Sequence, residues 1–197
     1  MASRRKPLNA DPLGGKTRGG VGAVEILQLN TERLLLRTME CSDAEGYAEL
    51  LSDPSTHPFI TESGPVPSAE IPERIRRNRD SSAAGTNLYW SIELDGVFVG
   101  DVALHGADAS ISALSYATRP AWRRQGIARE ALEAICQSCR SGSPSKDLVA
   151  RTHEKNTPSA ELLLQLGFGE IGTVDTPQGR RREFKLLAAQ QADEVGR

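Results

Sequence analysis

The residues richest in chemistry lie in one stretch, Tyr116 to Leu132, reading YATRPAWRRQGIAREAL. A strand pattern runs into a turn there, and the turn opens a helix whose first residues include Gly126 and Ala128. The first backbone N–H groups of a helix have no partner within it and lie at its positive end. Small side chains at that end let a ligand approach the backbone, so an anion such as a phosphate is the natural occupant. Arg123 and Arg124 add charge of the right sign. An ordinary strand-to-helix turn has the same appearance, and the stretch alone does not separate the two. Its spacing does exclude two other phosphate binders, since neither G-x-x-x-x-G-K-[ST] nor G-x-G-x-x-G occurs at this position.

The remaining reactive residues are scattered. His57, His105 and His153 lack metal-ligand spacing, and Cys136 with Cys139 forms a lone CxxC without the second pair a zinc site needs. Both thiols fall near the end of a helix predicted over 125–139, whereas a redox thiol gains from a helix N-terminus. They read as small helix residues, and no metal is expected. With Cys41 they make an odd number, which cannot pair completely within one chain and suits a reducing, cytoplasmic setting.

A chain of 197 residues, 38% hydrophobic and 25% charged, suits one soluble domain. Its net charge of -2 gives no reason to expect a nucleic-acid partner. No apolar run approaches the ~18 residues of a membrane span, so no membrane partner is expected either. Residues 1–25 carry a net +3 and the rest -5. The opening SRRKPL has the paired arginines of an export signal, but a Gly-rich polar stretch follows instead of roughly 7–15 apolar residues. Residues 1–24 are expected to form a flexible tail, or alternatively a basic docking arm, ahead of one domain over 25–197.

Periodicity supplies the elements that must position the turn. RLLLRT (33–38) reads as a first strand, and Ser42 with Glu45 as a capping box starting a helix that buries Ala44, Tyr47, Ala48 and Leu51. Pro54, Pro58, Pro65 and Pro67 mark a loop, followed by a helix over 69–80 striped by Ile71 and Ile75. In NLYWSIEL, Leu88, Trp90, Ile92 and Leu94 alternate with Tyr89, Ser91 and Glu93, predicting a strand with one buried face. Asp95-Gly96 is a hairpin signal, and VFVGDVALH returns with Asp101, Ala103 and His105 on one face. SISALSYAT completes a three-stranded meander. Then follow a helix burying Ile127, Ala128, Ala131, Leu132 and Ile135, a strand over 147–153, and a helix capped by Thr157 and stopped at Gly167. A hairpin of FGEIGTV and REFKLLA around DTPQGRR closes the order βααβββαβαββ, an α/β sandwich with a mixed sheet.

Two motifs fall on these elements in order. Arg123-x-x-Gly126-x-Ala128, behind a strand ending at Thr118-Arg119-Pro120, resembles the acetyl-CoA signature (Arg/Gln)-x-x-Gly-x-(Gly/Ala) of the GNAT superfamily of N-acetyltransferases. NTPSAELLLQLGF (156–168) resembles the family's second signature, an asparagine, a helix, then Leu-Gly-Phe. ERLLLR and GDVALHG resemble the branch that acetylates the N-termini of ribosomal proteins, and the likeness runs over about 32–188. The resemblance implies a GNAT-like mixed, mostly antiparallel sheet of about seven strands flanked by about four helices. It also implies acetyl-CoA as cosubstrate. Backbone groups of Tyr116, Ala117 and Thr118 would hold the thioester where strand 110–118 parts from strand 147–153. The N–H groups of Arg124, Gln125, Gly126, Ile127 and Ala128 would bind the pyrophosphate, with the charges of Arg123 and Arg124 added. Asn156 would bond the pantetheine arm, and Ser159 would lie near the sulfur.

The implied chemistry is direct attack of a primary amine on the thioester in a ternary complex, with the Thr118 backbone as oxyanion donor. A protein or peptide N-terminus is favoured over an amino acid, polyamine or aminoglycoside. The rival from another class is a non-catalytic acyl-CoA-binding module, and a monomer or homodimer is expected. Two departures from the family pattern stand out: Ala113 where many relatives have a glutamate three residues before the tyrosine, and Leu163 where many have a tyrosine general acid. Ser159 is then the candidate proton donor to the thiol. For the base, His105 has a suitable intrinsic pKa; Glu62 and His57 in the Pro-rich loop, or a water chain, are alternatives. Arg180–Arg182 reads as a solvated turn, or as a steering patch for an acidic acceptor. Trp122 should pack under the phosphate turn and Trp90 in the core.

Overall fold

The alternating centre of the sequence forms the middle of a mixed sheet. The structure is a computed structural model that describes residues 28–56, 59, 64–141, 147–177 and 179–187. Its elements are β1 (Leu29–Asn30), β2 (Leu34–Thr38), α1 (Ala44–Ser52), α2 (Ile71–Ala83), β3 (Asn87–Leu94), β4 (Val97–His105), β5 (Ile111–Thr118), α3 (Ile127–Ser141), β6 (Asp147–His153), α4 (Thr157–Gln165), β7 (Gly169–Thr176) and β8 (Gly179–Leu186). The strands lie in the order β1-β2-β3-β4-β5-β6-β8-β7. Among the described strands only β5 and β6 run parallel, which requires the long crossover that α3 supplies. The sheet has one strand more than the expected seven because Leu29–Asn30 folds back onto β2, where the Thr31 N–H bonds the Leu34 carbonyl. The expected tail over 1–24 lies outside the described residues.

Each face of the sheet carries its own core. Under α3 and α4 lie Leu36, Trp90, Ile92, Val102, Leu132, Ile135, Leu148 and Phe184. Under α1 and α2 lie Met39, Tyr47, Leu50, Ile71, Ile75, Phe98 and Ala117. Covering both faces corrects the one-faced reading of β3, since Ser91 is as fully buried as Ile92. At the hairpin, Asp95 and Gly96 both take positive φ (50° and 80°), the two-residue geometry whose twist matches the strands.

Three local expectations shift. The capping box before α1 belongs to Glu40 and Asp43, not to Ser42 and Glu45, because a short 3-10 turn at Cys41–Asp43 precedes the helix. The buried face of α1 is correspondingly Gly46, Tyr47, Leu50 and Leu51, with Ala44 and Ala48 only packed at its margin. Before α4 the cap is Asn156, whose Oδ1 accepts from the Ser159 N–H at 3.4 Å, so Thr157 is already helical. The last hairpin is tighter than expected: β7 runs to Thr176 and β8 starts at Gly179, so Arg180–Arg182 are strand residues. Arg182 pairs with Glu170 across the two strands at 2.7 Å.

The feature that creates a site is a strand pair that ends early. β5 and β6 pair only from Ile111↔Asp147 to Leu114↔Ala150. Residues 115–118 stay on β4 but stand clear of β6, leaving a wedge open to both faces of the sheet.

Candidate active site

Backbone alternation decides what the wedge offers. The Arg119 N–H bonds the Val99 carbonyl on the β4 side at 2.9 Å. Successive residues of a strand point their backbone groups to opposite sides, so the N–H and C=O of Tyr116 and Thr118 face the wedge. In agreement, the Thr118 carbonyl accepts from Arg123 Nε at 3.1 Å, away from β4. The Tyr116 side chain crosses to α4, where its hydroxyl lies 2.7 Å from Ser159 Oγ. Burial pushes the Tyr116 phenol up to about 12, with the Ser159 contact opposing.

Between β5 and α3 the chain makes a turn built for an anion. Arg124 and Gly126 have φ of 59° and 77°, so left-handed residues alternate with ordinary ones and turn N–H groups toward one side. Helix α3 follows at once, its first ladder bond running from the Glu130 N–H to the Gly126 carbonyl. Arg33 braces the turn from outside through the Gln125 carbonyl at 3.1 Å and Glu130 at 2.7 Å. The turn forms one wall of a cleft of 510 Å³ that also takes in Tyr116, Ala117, Thr118, Trp122, Asn156 and Ser159. Arg123, Arg124, Arg129 and Lys155 line it, and among the described residues no acid does. The cleft therefore suits an elongated, phosphate-bearing ligand.

A second cleft, of 450 Å³, opens on the other face between the sheet, α1 and α2. It shares Phe59, Tyr116, Ala117, Asn156 and Ser159 with the first. The two clefts thus meet at the wedge. The second is lined by His105, Asp101, Tyr47, Tyr89 and Arg74, and by Arg181 and His153 opposite. Burial raises the Asp101 carboxyl to about 7, with the Arg74 charge opposing. Burial lowers His105, whose Nε2 lies 3.0 Å from Ser115 Oγ.

The structure brings together Tyr116, Ala117, Thr118, Arg123, Arg124, Gly126, Ile127, Ala128, Asn156 and Ser159 around the first cleft. Gln125 does not line it; its side chain bonds the Ala121 carbonyl at 3.0 Å. Arg123 is committed too: besides Thr118 it holds Ser55 and Thr56 and so pins the start of the Pro-rich loop to β5. Trp122 packs against the core beneath the turn and lines the cleft. Glu62 and His57 lie outside the described residues. Cys136 is buried in α3, where burial pushes its thiol up to about 12, and it lines neither cleft. Sequence reading missed Asp101, although a lone carboxylate in strand alternation with His105 was a visible signal. Of the Arg180–Arg182 run, read as a solvated turn or a steering patch, Arg181 reaches the second cleft and donates to the Phe59 carbonyl at 3.2 Å.

Two clefts on opposite faces of the sheet thus meet through a gap in its strand pairing. The comparisons supply the class. The model of the acetyltransferase (GNAT) domain matches residues 33–169, more than half of the chain. The chain belongs to the GNAT acetyltransferase family. Among solved structures it is similar to a GNAT-family acetyltransferase from Bacillus anthracis (20% identity, 82% of this chain and 98% of that one, TM-score 0.72). It is also similar to Mycobacterium smegmatis RimJ in complex with CoA-disulfide (21% identity, 81% and 84%, TM-score 0.71). A third similar structure is a ribosomal-protein-S5-alanine acetyltransferase from Vibrio fischeri (14% identity, 83% and 98%, TM-score 0.70). At these identities the likeness is one of fold.

Proposed function

We propose that this protein transfers the acetyl group of acetyl-CoA to a primary amine by direct attack in a ternary complex, with a peptide or protein N-terminus favoured as acceptor. The observation that carries the reading is the meeting of the two clefts at Tyr116, Ala117, Asn156 and Ser159. Acetyl-CoA would lie in the first cleft with its pyrophosphate on the N–H groups of 124–128 and its thioester along 116–118. The Thr118 N–H, facing the wedge, is the oxyanion donor in this scheme. The RimJ complex with CoA-disulfide supports the cofactor, and the S5-alanine acetyltransferase supports the acceptor class. The protein acts as a monomer or homodimer in the cytoplasm, through one domain over 25–197.

Ser159, paired with Tyr116, protonates the departing thiolate. Ser159→Ala is expected to lower kcat by about 10- to 100-fold, below the full contribution of an acid because the Tyr116 hydroxyl remains. KM for acetyl-CoA should stay within about twofold, since the lost interaction forms only as the C–S bond breaks. Steady-state kinetics with both substrates varied separates these quantities; a rise in KM at unchanged kcat would assign Ser159 to binding instead.

The reading itself is tested by CoA thiol release from acetyl-CoA at mildly alkaline pH, against small amines and short peptides with free N-termini. Turnover with one amine class establishes the enzyme and eliminates a purely acyl-CoA-binding module. Silence across the panel, from protein that binds acetyl-CoA, favours that module.

A further inference from the structure

We infer that Asp101 takes the proton from the acceptor's α-ammonium group, a role that rests on the acetyltransferase reading above. Asp101 stands opposite Ala117 in the β4–β5 ladder, with Ala103 opposite Ser115 and His105 opposite Ala113. Directly paired residues have Cα atoms about 5 Å apart, and their side chains share one face of the sheet. Asp101 is therefore beside the strand segment proposed to hold the thioester, and it lines the acceptor cleft. His105, four residues further along β4, is displaced by about 13 Å at the usual strand rise. It is also engaged with Ser115 and packed edge-on against Tyr89. Placement favours the aspartate.

The surroundings keep that carboxylate ready rather than paired. From α1 it faces Tyr47, from β3 Tyr89, and from α2 Arg74, with Arg77 acting on Tyr89. Among the described residues no ion pair involves Asp101, and Arg74 Nε is itself buried without a hydrogen-bond partner. The arginines across the cleft are occupied: Arg151 pairs with Glu183 at 3.1 Å and Arg181 bonds the Phe59 carbonyl, while His153 Nδ1 accepts from the Lys155 N–H. Burial holds the Asp101 proton affinity near neutrality. An α-amino group of pKa about 8 can pass a proton to such an acceptor almost without penalty, whereas a lysine or polyamine amine near 10.4 cannot.

The step balances. The ammonium gives one proton to the Asp101 carboxylate, and the nitrogen lone pair attacks the thioester carbon. The C–S bond breaks, and the thiolate takes a proton from the Ser159–Tyr116 pair. The nitrogen's second proton restores that pair, and the proton on Asp101 leaves through the open cleft. The products are amide, free thiol and one proton.

The test compares full-length wild type, Asp101→Asn and Arg74→Met on hexapeptides with free N-terminal Ala, Ser, Met or Asp. A second set is N-terminally blocked and carries one internal lysine. Wild type should acetylate the first set with an acid limb near pH 7. Asp101→Asn should be at least about 100-fold slower at pH 7, with its midpoint moved to that of the peptide amine, about 8, and the gap narrowing at higher pH. Its melting temperature at pH 8 should not fall, because burial opposes the charge that the amide removes. Arg74→Met, which deletes a nearby positive charge, should move the wild-type limb upward. Asp101→Asn within about threefold of wild type at pH 7, or an unmoved limb in either variant, overturns the inference. Acetylation of the blocked lysine peptides alone overturns the α-amine assignment. Silence of wild type on both sets, with CoA still bound, overturns the acetyltransferase reading and this inference with it.

Discussion

Gly126→Glu is expected to abolish acetyl-CoA binding in a protein that still folds. Position 126 has φ of 77°, so any side chain there carries left-handed strain of about 1–2 kcal/mol. The new Cβ would meet only Arg33 Nη2, at 3.3 Å, so it creates no backbone clash. The decisive effect is electrostatic. A carboxylate at 126 would add negative charge at the positive end of α3, beside the N–H groups proposed to hold the pyrophosphate, and would repel that anion. An affinity loss of at least about 100-fold corresponds to about 2.7 kcal/mol, a modest demand for bulk and like charge combined. Gly126→Ala separates the causes: it adds the strain and the Cβ but no charge, so it should weaken binding far less. Isothermal titration with CoA and melting curves with and without CoA read both effects. Gly126→Glu that melts near wild type yet binds CoA within about tenfold of it would place the cofactor elsewhere.

Asp43→Ala should be the most damaging single change to stability away from the hydrophobic cores. Asp43 is only 2% exposed and accepts from Arg37 at 2.8 and 2.9 Å, from the Glu40 N–H at 2.8 Å and from the Ser91 hydroxyl at 2.7 Å. Removing it leaves Arg37 with Glu93 and the Thr38 carbonyl, and strips two donors of their acceptor. Breaking such a pair from one side costs about 3–5 kcal/mol. That is a large share of the 5–15 kcal/mol that typically holds a domain together. Urea unfolding at pH 7 measures the loss, and a change below about 1 kcal/mol would mean that water replaces the carboxylate freely.

The same network predicts a pH dependence. Burial works against the Asp43 charge, but Arg37, the Glu40 N–H and the Ser91 hydroxyl outweigh it and hold the carboxyl below its usual value. A depressed carboxylate contributes stability that is complete above its unfolded pKa, about 4, and lost as pH falls through the folded value. Wild type should therefore lose stability below about pH 4 more steeply than Asp43→Ala. The register links this network to the clefts: Arg37, Ser91, Asp101 and Ala117 stand opposite one another across β2, β3, β4 and β5. Asp43 thus anchors the far end of the row that carries Asp101.

The sequence by itself determined what repeats locally or sits at a fixed spacing. Alternation from Leu88 to Ile92 fixed a strand, Asp95-Gly96 its hairpin, and the stripe from Ile127 to Ile135 a helix, because each pattern is satisfied by neighbours within a few residues. The turn before α3 was legible for the same reason: its glycine and its helix start are adjacent in the chain. Cap identities were not, since Ser42 with Glu45 and Glu40 with Asp43 both fit the pattern locally, and Asp43 is held by Arg37 and by Ser91 on another strand. The second cleft was least legible of all. Asp101 borders it because β4 pairs with β5 in one register and α2 lays Arg74 over the same face. Arg181 joins it by a contact with Phe59 across 122 residues. Such meetings depend on how the sheet and its covering helices assemble, and a one-residue slip in strand register would turn Asp101 to the opposite face.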